Sequence, residues 1–241
     1  AFAACIRHKR PVYLEIPRDV VDLPCAAPGK WRVERPESDP DALREAVAEA
    51  AAMVRAAKRP AILGGVEIHR YGLQEPFLRL VESSGLPVAT NLLGKSIVSE
   101  RHPQYVGVYE GAMGDEYARR IVESADCLLI LGAFLTDIDL GIFTAKLDMS
   151  RAVHALAERI AIRHHSYDGI VLRDFIEGLA KAPLGRRRKA AASAAPKDRP
   201  YRPRPNRAIT VKRLFARIDR ALDENTVVIC DIGDSLFGAS G

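Results

Sequence analysis

The sequence lacks the short motifs that assign a chemistry at once. It contains no GxGxxG and no GxxxxGK[ST] segment, so a dinucleotide or nucleoside triphosphate site has little support. The four cysteines, Cys5, Cys25, Cys127 and Cys230, form no CxxC pair and have no histidine at zinc-ligand spacing. We expect a reduced, cytoplasmic protein, in which Cys127 and Cys230 serve as small core residues in strands.

The sequence also lacks long apolar runs. None approaches the length that spans a bilayer, and Arg7 to Arg10 follow only a short apolar start without a signal-type cleavage site. We therefore expect no membrane association. The chain begins with Ala1 inside an expected helix end and stops at Gly241, just after an expected strand and turn. From both ends we expect this sequence to be a piece of a longer protein.

Acidic residues are almost absent from one stretch, which explains the net charge of +5. Residues 181–207 hold ten basic residues and one acidic residue, a net +9 that leaves −4 for the rest. The stretch is rich in Ala, Pro and Arg and shows no apolar periodicity. We interpret it as a mobile linker rather than a phosphate-binding arm, and we expect no nucleic-acid partner.

Between the two ends, short apolar runs alternate with amphipathic stretches. Asp39 and Pro40 begin a predicted helix, Gly85 ends the next one, and residues 115–125 predict a third. Apolar runs at 61–64, 87–90, 105–108, 127–131, 151–156 and 169–171 predict strands. Strands that are apolar throughout indicate a parallel sheet covered on both faces.

The predicted fold is therefore α/β, a three-layer Rossmann-like doubly wound parallel sheet with partial flanking α/β domains. A central domain is expected over residues 38–181, after a connecting strap at 24–37. The basic linker is expected at 182–206. In the last part, Thr210 caps a predicted helix and residues 227–232 predict a buried strand.

Ligands of open parallel sheets bind at the carboxyl ends of strands. The candidate loops are the glycines at 64–65 and residues 91–99, 107–114 and 132–141. Residues 111–114 precede a helix and could offer a backbone phosphate cradle, but we favour tight turns as the explanation of the glycines. Adjacent His164 and His165 would point to opposite faces of a strand and cannot easily share a metal. We predict no metal ligand and no catalytic residue within this chain.

Gly233, Asp234 and Ser235 are the strongest candidates for binding. They follow the predicted strand at 227–232 and offer a carboxylate, a hydroxyl and backbone N–H groups, which suit a phosphate or amino group. An ordinary strand-to-helix turn, with Asp or Ser as the N-cap, is the alternative.

Several longer stretches resemble one enzyme family. The runs GKSIVSERHP (94–103), GVYEGAMG (107–114) and LGAFLTD (131–137) are similar to the central domain of thiamine-diphosphate-dependent 2-oxo-acid decarboxylases, in the indolepyruvate, phenylpyruvate and pyruvate decarboxylase branch. RPVYLEIPRD (10–19) resembles the end of that family's pyrimidine-binding domain, and DIGDSLFG (231–238) the start of its diphosphate-binding domain. The resemblance places these flanking domains at 1–23 and 207–241.

The resemblance implies non-oxidative decarboxylation of a 2-oxo acid to an aldehyde, with thiamine diphosphate and Mg²⁺ as cofactors and a homodimer or homotetramer as the assembly. An acetolactate-synthase-like carboligase and a non-catalytic nucleotide-binding module remain alternatives. The family's activating glutamate and histidine pair would lie before residue 1, and its magnesium ligands after residue 241. Only Gly233, Asp234 and Ser235 match a segment that lines the cofactor, so we expect this chain alone to be inactive.

Overall fold

A seven-stranded sheet organises the structure, a computed structural model that describes residues 1–27, 29, 36–185, 202–223 and 225–240. The sheet order is β3-β2-β1-β4-β5-β6-β7. Neighbouring strands from β3 to β5 are parallel, and β6 and β7 add antiparallel pairs. The strands are β1 (Pro60–Gly64), β2 (Val88–Thr90), β3 (Tyr105–Val108), β4 (Cys127–Leu131), β5 (Ala152–Leu156), β6 (Arg159–Ile162) and β7 (His165–Asp168).

Helices follow the strands, as the alternating pattern predicts, and others lie in the flanking segments. They are α1 (Phe2–His8), α2 (Pro40–Ala56), α3 (Glu67–Arg70), α4 (Gln74–Ser84), α5 (Glu116–Glu123), α6 (Leu172–Lys181), α7 (Val211–Asp219) and α8 (Asp234–Ser240). The predicted caps are confirmed. The Asp39 carboxylate accepts the Asp41 and Ala42 N–H groups, and Gly85 ends α4 with a left-handed φ of 68°.

Two apolar cores cover the two faces of the sheet. Alternate residues of β4 enter opposite cores, because successive side chains of a strand point to opposite faces. Cys127, Leu129 and Leu131 pack with α2, α4 and α6, whereas Leu128 and Ile130 pack with α5. Every residue of β4 is buried. The predicted α/β fold, with helices on both faces of a largely parallel sheet, is confirmed.

The end of the sheet corrects the sequence prediction. Residues 169–171, predicted as the closing strand, form no strand, and β6 and β7 were not predicted. β5 turns back into β6, and Arg163 adopts a left-handed φ of 54° in the turn from β6 to β7. The three strands form an antiparallel meander at one edge of an otherwise parallel sheet.

The flanking segments also differ from the prediction. Residues 10–17 lie in extended and irregular backbone without strand pairing, and most are exposed. The predicted strand at 227–232 likewise pairs with none of the described residues, and Ile229 is 91% exposed. Thr210 does cap α7, since its hydroxyl accepts the Arg213 N–H, and α7 contacts α8. Most residues assigned to the basic linker, together with Trp31 of the strap, lie outside the described ranges.

Candidate functional site

The carboxyl edge of the parallel strands is where sheets of this kind bind their ligands. The chain passes from β1 to β2 and β3 on one side, while β4 and β5 lie on the other side. Loops that diverge from such a reversal leave a crevice at the strand ends. Here the loops after β1 and β4 are in close contact, since the Gly65 N–H donates to Leu131 O and the Glu67 N–H to Gly132 O. A Cβ on Gly65 would overlap Ala133.

The glycine loop at residues 111–114 does not present a phosphate cradle. Ala112 N–H donates to Thr144 Oγ1 at 2.8 Å, and Met113 and Gly114 N–H groups both donate to Glu110 O. Because these donors are used within the protein, they are not available to an anion. The loop is a tight turn that leads into α5, where the Asp115 carboxylate caps the Ala118 N–H.

A buried glutamate near the reversal joins the N-terminal segment to the central domain. The side chain of Glu67 is almost fully buried, and its Oε2 accepts the Ala157 N–H at 2.8 Å. Its Oε1 lies 3.6 Å from an Arg10 guanidinium nitrogen. Burial raises the pKa of Glu67, while the Ala157 N–H and then the charges of Arg10 and Arg70 oppose that rise.

Two arginines share one aromatic ring beside Glu67. The guanidinium carbons of Arg10 and Arg70 lie 5.0 and 5.4 Å from the centre of the Phe134 ring, within the range of cation–π attraction. The Nη1 atom of Arg70 is buried without a hydrogen-bond partner. This group links residue 10 to the loops after β1 and β4, and it places two cationic side chains beside one carboxylate.

A second group of polar side chains lies buried in the loops after β2, β3 and β4. Asn91, Glu110 and Asp139 are at most 3% exposed. Each has one buried atom without a hydrogen-bond partner: Asn91 Nδ2, Glu110 Oε1 and Asp139 Oδ1. We call these three residues the buried polar cluster. Such orphaned polar atoms are uncommon in proteins, because each costs about 1–3 kcal/mol.

Both carboxyl groups of the buried polar cluster have perturbed acidity. Burial, followed by the charge of Asp139, raises the pKa of Glu110. Burial also raises the pKa of Asp139, against hydrogen bonds from Thr136 and Asn91 and with a further rise from Asp137. The Thr136 hydroxyl donates to Asp139 Oδ2 at 2.9 Å. The Asn91 amide is close enough to Asp139 to lower its pKa, but the geometry between Nδ2 and the carboxyl falls short of a hydrogen bond.

The histidines lie in separate places. His165 Nδ1 lies 3.2 Å from Glu49 Oε2, His154 Nε2 lies 2.9 Å from Ala133 O, and His69 contacts Lys95 O and Gln74. Burial lowers the pKa of His154. Within the described ranges, no group of three or more His, Cys, Asp or Glu residues could hold a metal ion. No helix among those residues is long and apolar enough to cross a membrane.

The predicted binding residues Gly233, Asp234 and Ser235 lie at the start of α8. Gly233 has a φ of +124°, which favours glycine. Asp234 and Ser235 are exposed, and the Ser235 hydroxyl donates to Asp231 O at 3.2 Å. The three residues are adjacent, but residues 225–232 beside them form no strand, and among the described helices and strands α7 is the main neighbour of α8.

Comparison with known proteins assigns the fold to a class and then to a family. The class is a Rossmann-like α/β domain, as the sheet order shows. Residues 47–166 match the family model of the thiamine pyrophosphate enzyme central domain. This chain therefore carries the central domain of a thiamine pyrophosphate enzyme, as the resemblance at residues 94–137 implies.

Curated relatives extend the similarity beyond the central domain. An indole-3-pyruvate decarboxylase of Azospirillum brasilense is 31% identical over 95% of this chain and 42% of its own length. A probable pyruvate decarboxylase of Schizosaccharomyces pombe is 29% identical over 99% of this chain and 42% of its own. Pyruvate decarboxylase 2 of Nicotiana tabacum is 28% identical, over 98% and 40%. The chain thus spans about two fifths of these relatives.

The described residues do not by themselves fit thiamine diphosphate with Mg²⁺. A magnesium-bound diphosphate requires several oxygen ligands held in a near-octahedral arrangement. Asp234 is one exposed carboxylate, and the hydroxyl of Ser235 is already bonded to the chain. Since no ligand set surrounds these groups in the part of the chain that is described, they offer at most one side of such a site.

Sequence reasoning missed the group around Glu67, and it placed the members of the buried polar cluster in three candidate loops without predicting that they meet. Glu67 and Arg70 share α3, whereas Phe134 follows β4, and the members of the buried polar cluster lie 19 to 48 positions apart. A weak signal did exist for Glu110 and Asp139, because each is an acidic residue within a glycine-rich loop after an apolar strand. The signal does not say whether the side chain turns inward.

Proposed function

We propose that this chain is the middle part of a thiamine-diphosphate- and Mg²⁺-dependent enzyme that decarboxylates a 2-oxo acid to an aldehyde. The proposal depends chiefly on one observation, the similarity of nearly the whole chain to proteins named pyruvate and indole-3-pyruvate decarboxylases. The match to the central domain of the family supports the cofactor class. Pyruvate and indolepyruvate are the first substrates to test, followed by phenylpyruvate.

Within this proposal, the central domain is a scaffold and the flanking segments contribute to the cofactor site. Gly233, Asp234 and Ser235 would line thiamine diphosphate in the whole protein. Residues 1–23 and 207–241 would belong to the pyrimidine-binding and diphosphate-binding domains, joined by the strap at 24–37 and the linker at 182–206. The Arg10 contacts with Glu67 and Phe134 support a fixed junction between the first segment and the scaffold. We further propose a cytoplasmic homodimer or homotetramer.

The activity test uses the whole protein encoded around this chain. Purified protein with thiamine diphosphate and Mg²⁺ should release CO₂ and the matching aldehyde from pyruvate, phenylpyruvate or indole-3-pyruvate. Replacing Asp234 with Ala should weaken cofactor binding, whereas replacing the exposed Asp41 with Ala should not. Formation of acetolactate without free aldehyde would instead favour a carboligase, and failure to act on any 2-oxo acid would contradict the proposal.

Calorimetric titration tests whether this chain binds the cofactor by itself or needs residues from the rest of the protein. The 241-residue chain, titrated with thiamine diphosphate in the presence of Mg²⁺, should show no binding in the micromolar range. The reason is that Asp234 and Ser235 alone do not complete an oxygen ligand set for the metal. Micromolar binding by this chain would show that its own residues hold the cofactor.

A further inference from the structure

The buried polar cluster contains more negative charge than its surroundings balance. Glu110 and Asp139 are both buried, and the charged group that faces Glu110 is Asp139 itself. The charged group that faces Asp139 is a third carboxylate, Asp137. In the described part of the chain, neither buried carboxyl forms an ion pair with Lys or Arg. Two buried carboxylates without a counterion cannot both stay ionised cheaply, so a proton or a cation must neutralise one of them.

The hydrogen-bond donors favour a proton over a cation. A bound cation would be surrounded by oxygen ligands. The Oδ1 atom of Asn91 is already used, because it accepts the Gly94 N–H at 2.9 Å. The remaining atom of that amide is the donor Nδ2, which is orphaned and faces Asp139. A donor directed at the cluster is suited to an anion, not to a metal ion.

The same donors decide which carboxyl keeps the proton. Asp139 Oδ2 accepts from the Thr136 hydroxyl at 2.9 Å and from the Thr136 N–H at 3.4 Å, and the amide of Asn91 is a further neighbour of this carboxyl. These groups stabilise an ionised Asp139. No hydrogen bond to the Glu110 side chain is found among the described residues, and its Oε1 is orphaned. Of the two carboxyl groups, Glu110 therefore gives up less stabilisation when it is protonated.

We propose that the buried polar cluster is a proton-retaining site, in which Glu110 stays a neutral carboxylic acid at neutral pH beside an ionised Asp139. The neutral acid gains a hydroxyl donor, which changes Glu110 Oε1 from an orphaned acceptor into a group that can donate toward Asp139. Loss of this proton at alkaline pH leaves two facing negative charges inside the protein.

The position of the cluster gives the proton a structural role. Glu110 O accepts the N–H groups of Met113 and Gly114, and Gly141 lies against Glu110 so closely that a Cβ there would overlap its carbonyl. The loop after Asp139 holds Ile142 and Phe143 exposed with left-handed φ values of 52° and 62°. Non-glycine residues with such φ values are strained unless neighbouring contacts hold them. Charging Glu110 should therefore loosen this loop.

The sign of the pH dependence follows from the raised pKa of Glu110. Between its ordinary value of 4.5 and the folded-state value, the folded chain holds one more proton than the unfolded chain. Glu110 therefore contributes most to the free energy of unfolding below pH 4.5. Its contribution falls as the pH rises through that window. One proton increases the unfolding equilibrium constant by up to about tenfold per pH unit.

The test compares the 241-residue chain with Glu110→Gln, which imitates the neutral acid, and with Glu37→Gln, an exposed control. Urea unfolding is measured from pH 5 to pH 9. In the unchanged chain, Glu110 should make the free energy of unfolding fall as the pH rises, and Glu110→Gln should lose the part of that slope that one proton causes. Glu37→Gln should keep the slope of the unchanged chain. An equal slope in all three proteins would overturn the proposal.

One spectroscopic measurement on the unchanged chain keeps the proposal testable if Glu110→Gln folds poorly, and two further comparisons apply where that variant folds. Infrared spectra of the unchanged chain at pH 7 should contain a protonated carboxyl band that disappears as the pH rises, and the absence of that band would contradict a neutral Glu110. Hydrogen exchange at pH 8 should be faster at the Ala112 and Ile142 amides in the unchanged chain than in Glu110→Gln. If Mg²⁺ or Ca²⁺ stabilises the unchanged chain at pH 7 but not Glu110→Gln, a cation fills the site and the proposal fails.

Discussion

Strand β4 and residues 227–232 are similar in sequence and opposite in environment. Both are short apolar runs that contain one cysteine, CLLIL in the first and VVICDI in the second. β4 pairs with β1 and β5 and is completely buried, whereas Ile229 is 91% exposed and pairs with nothing described. An apolar run therefore indicates that the segment is stabilised by burial. It becomes buried only where neighbouring strands and helices cover it.

The largest expected contrast comes from truncating one large apolar side chain in each region. Phe175 lies fully buried in α6, so Phe175→Ala should reduce the free energy of unfolding by about 3–5 kcal/mol. Ile229→Ala should change it by less than about 0.5 kcal/mol, because an exposed side chain gives up little on removal. Urea unfolding followed by circular dichroism measures both. Similar losses in the two variants would mean that residues 227–232 are buried in solution.

A smaller contrast comes from the two helix caps. The Asp39 carboxylate accepts two N–H groups at the start of α2, and Asp39→Ala should cost about 1 kcal/mol of unfolding free energy. Thr210 caps α7 in the same chemical manner, yet Thr210→Ala should leave the main transition unchanged. The reason is that α7 contacts α8 and has no comparable contact with the sheet. Equal costs would show that α7 unfolds together with the central domain.

The smallest effect is expected from shortening the chain. A protein that ends at Gly185 keeps β1 to β7, the strands of the described residues, and helices α1 to α6. We expect its urea midpoint to equal that of the full chain, because no apolar residue of α7 or α8 enters either core. Thermal scans of the two proteins give an independent comparison. A clearly lower midpoint in the shorter protein would reveal stabilising contacts made by residues after 185.

Local patterns predicted the centre of the fold well. Asp39, Pro40 and Gly85 each act within a few residues of their own position, so their roles as caps could be derived directly. The parallel strands are apolar throughout, which identifies them without knowledge of their neighbours. These features need no long-range information.

The remainder depended on contacts that local patterns do not contain. β7 has the sequence HSYD and is mostly exposed. It contains too few apolar residues for the sequence pattern to predict a strand there. The members of the buried polar cluster meet only because the sheet order brings the loops after β2, β3 and β4 together. The prediction at 227–232 was wrong in the opposite way, since the apolar signal was present and the pairing partner was not among the described residues.

The polar composition of β7 also bears on how copies of the protein avoid joining edge to edge. An open sheet can recruit a strand from another molecule along any flat, unpaired edge, and charged or polar residues on that edge discourage it. β7 exposes His165, Ser166 and Asp168 on this edge. Tyr167 is held back toward α2 by its bond to Glu49 at 2.8 Å. The antiparallel meander therefore ends the sheet in a strand that is poorly suited to aggregation.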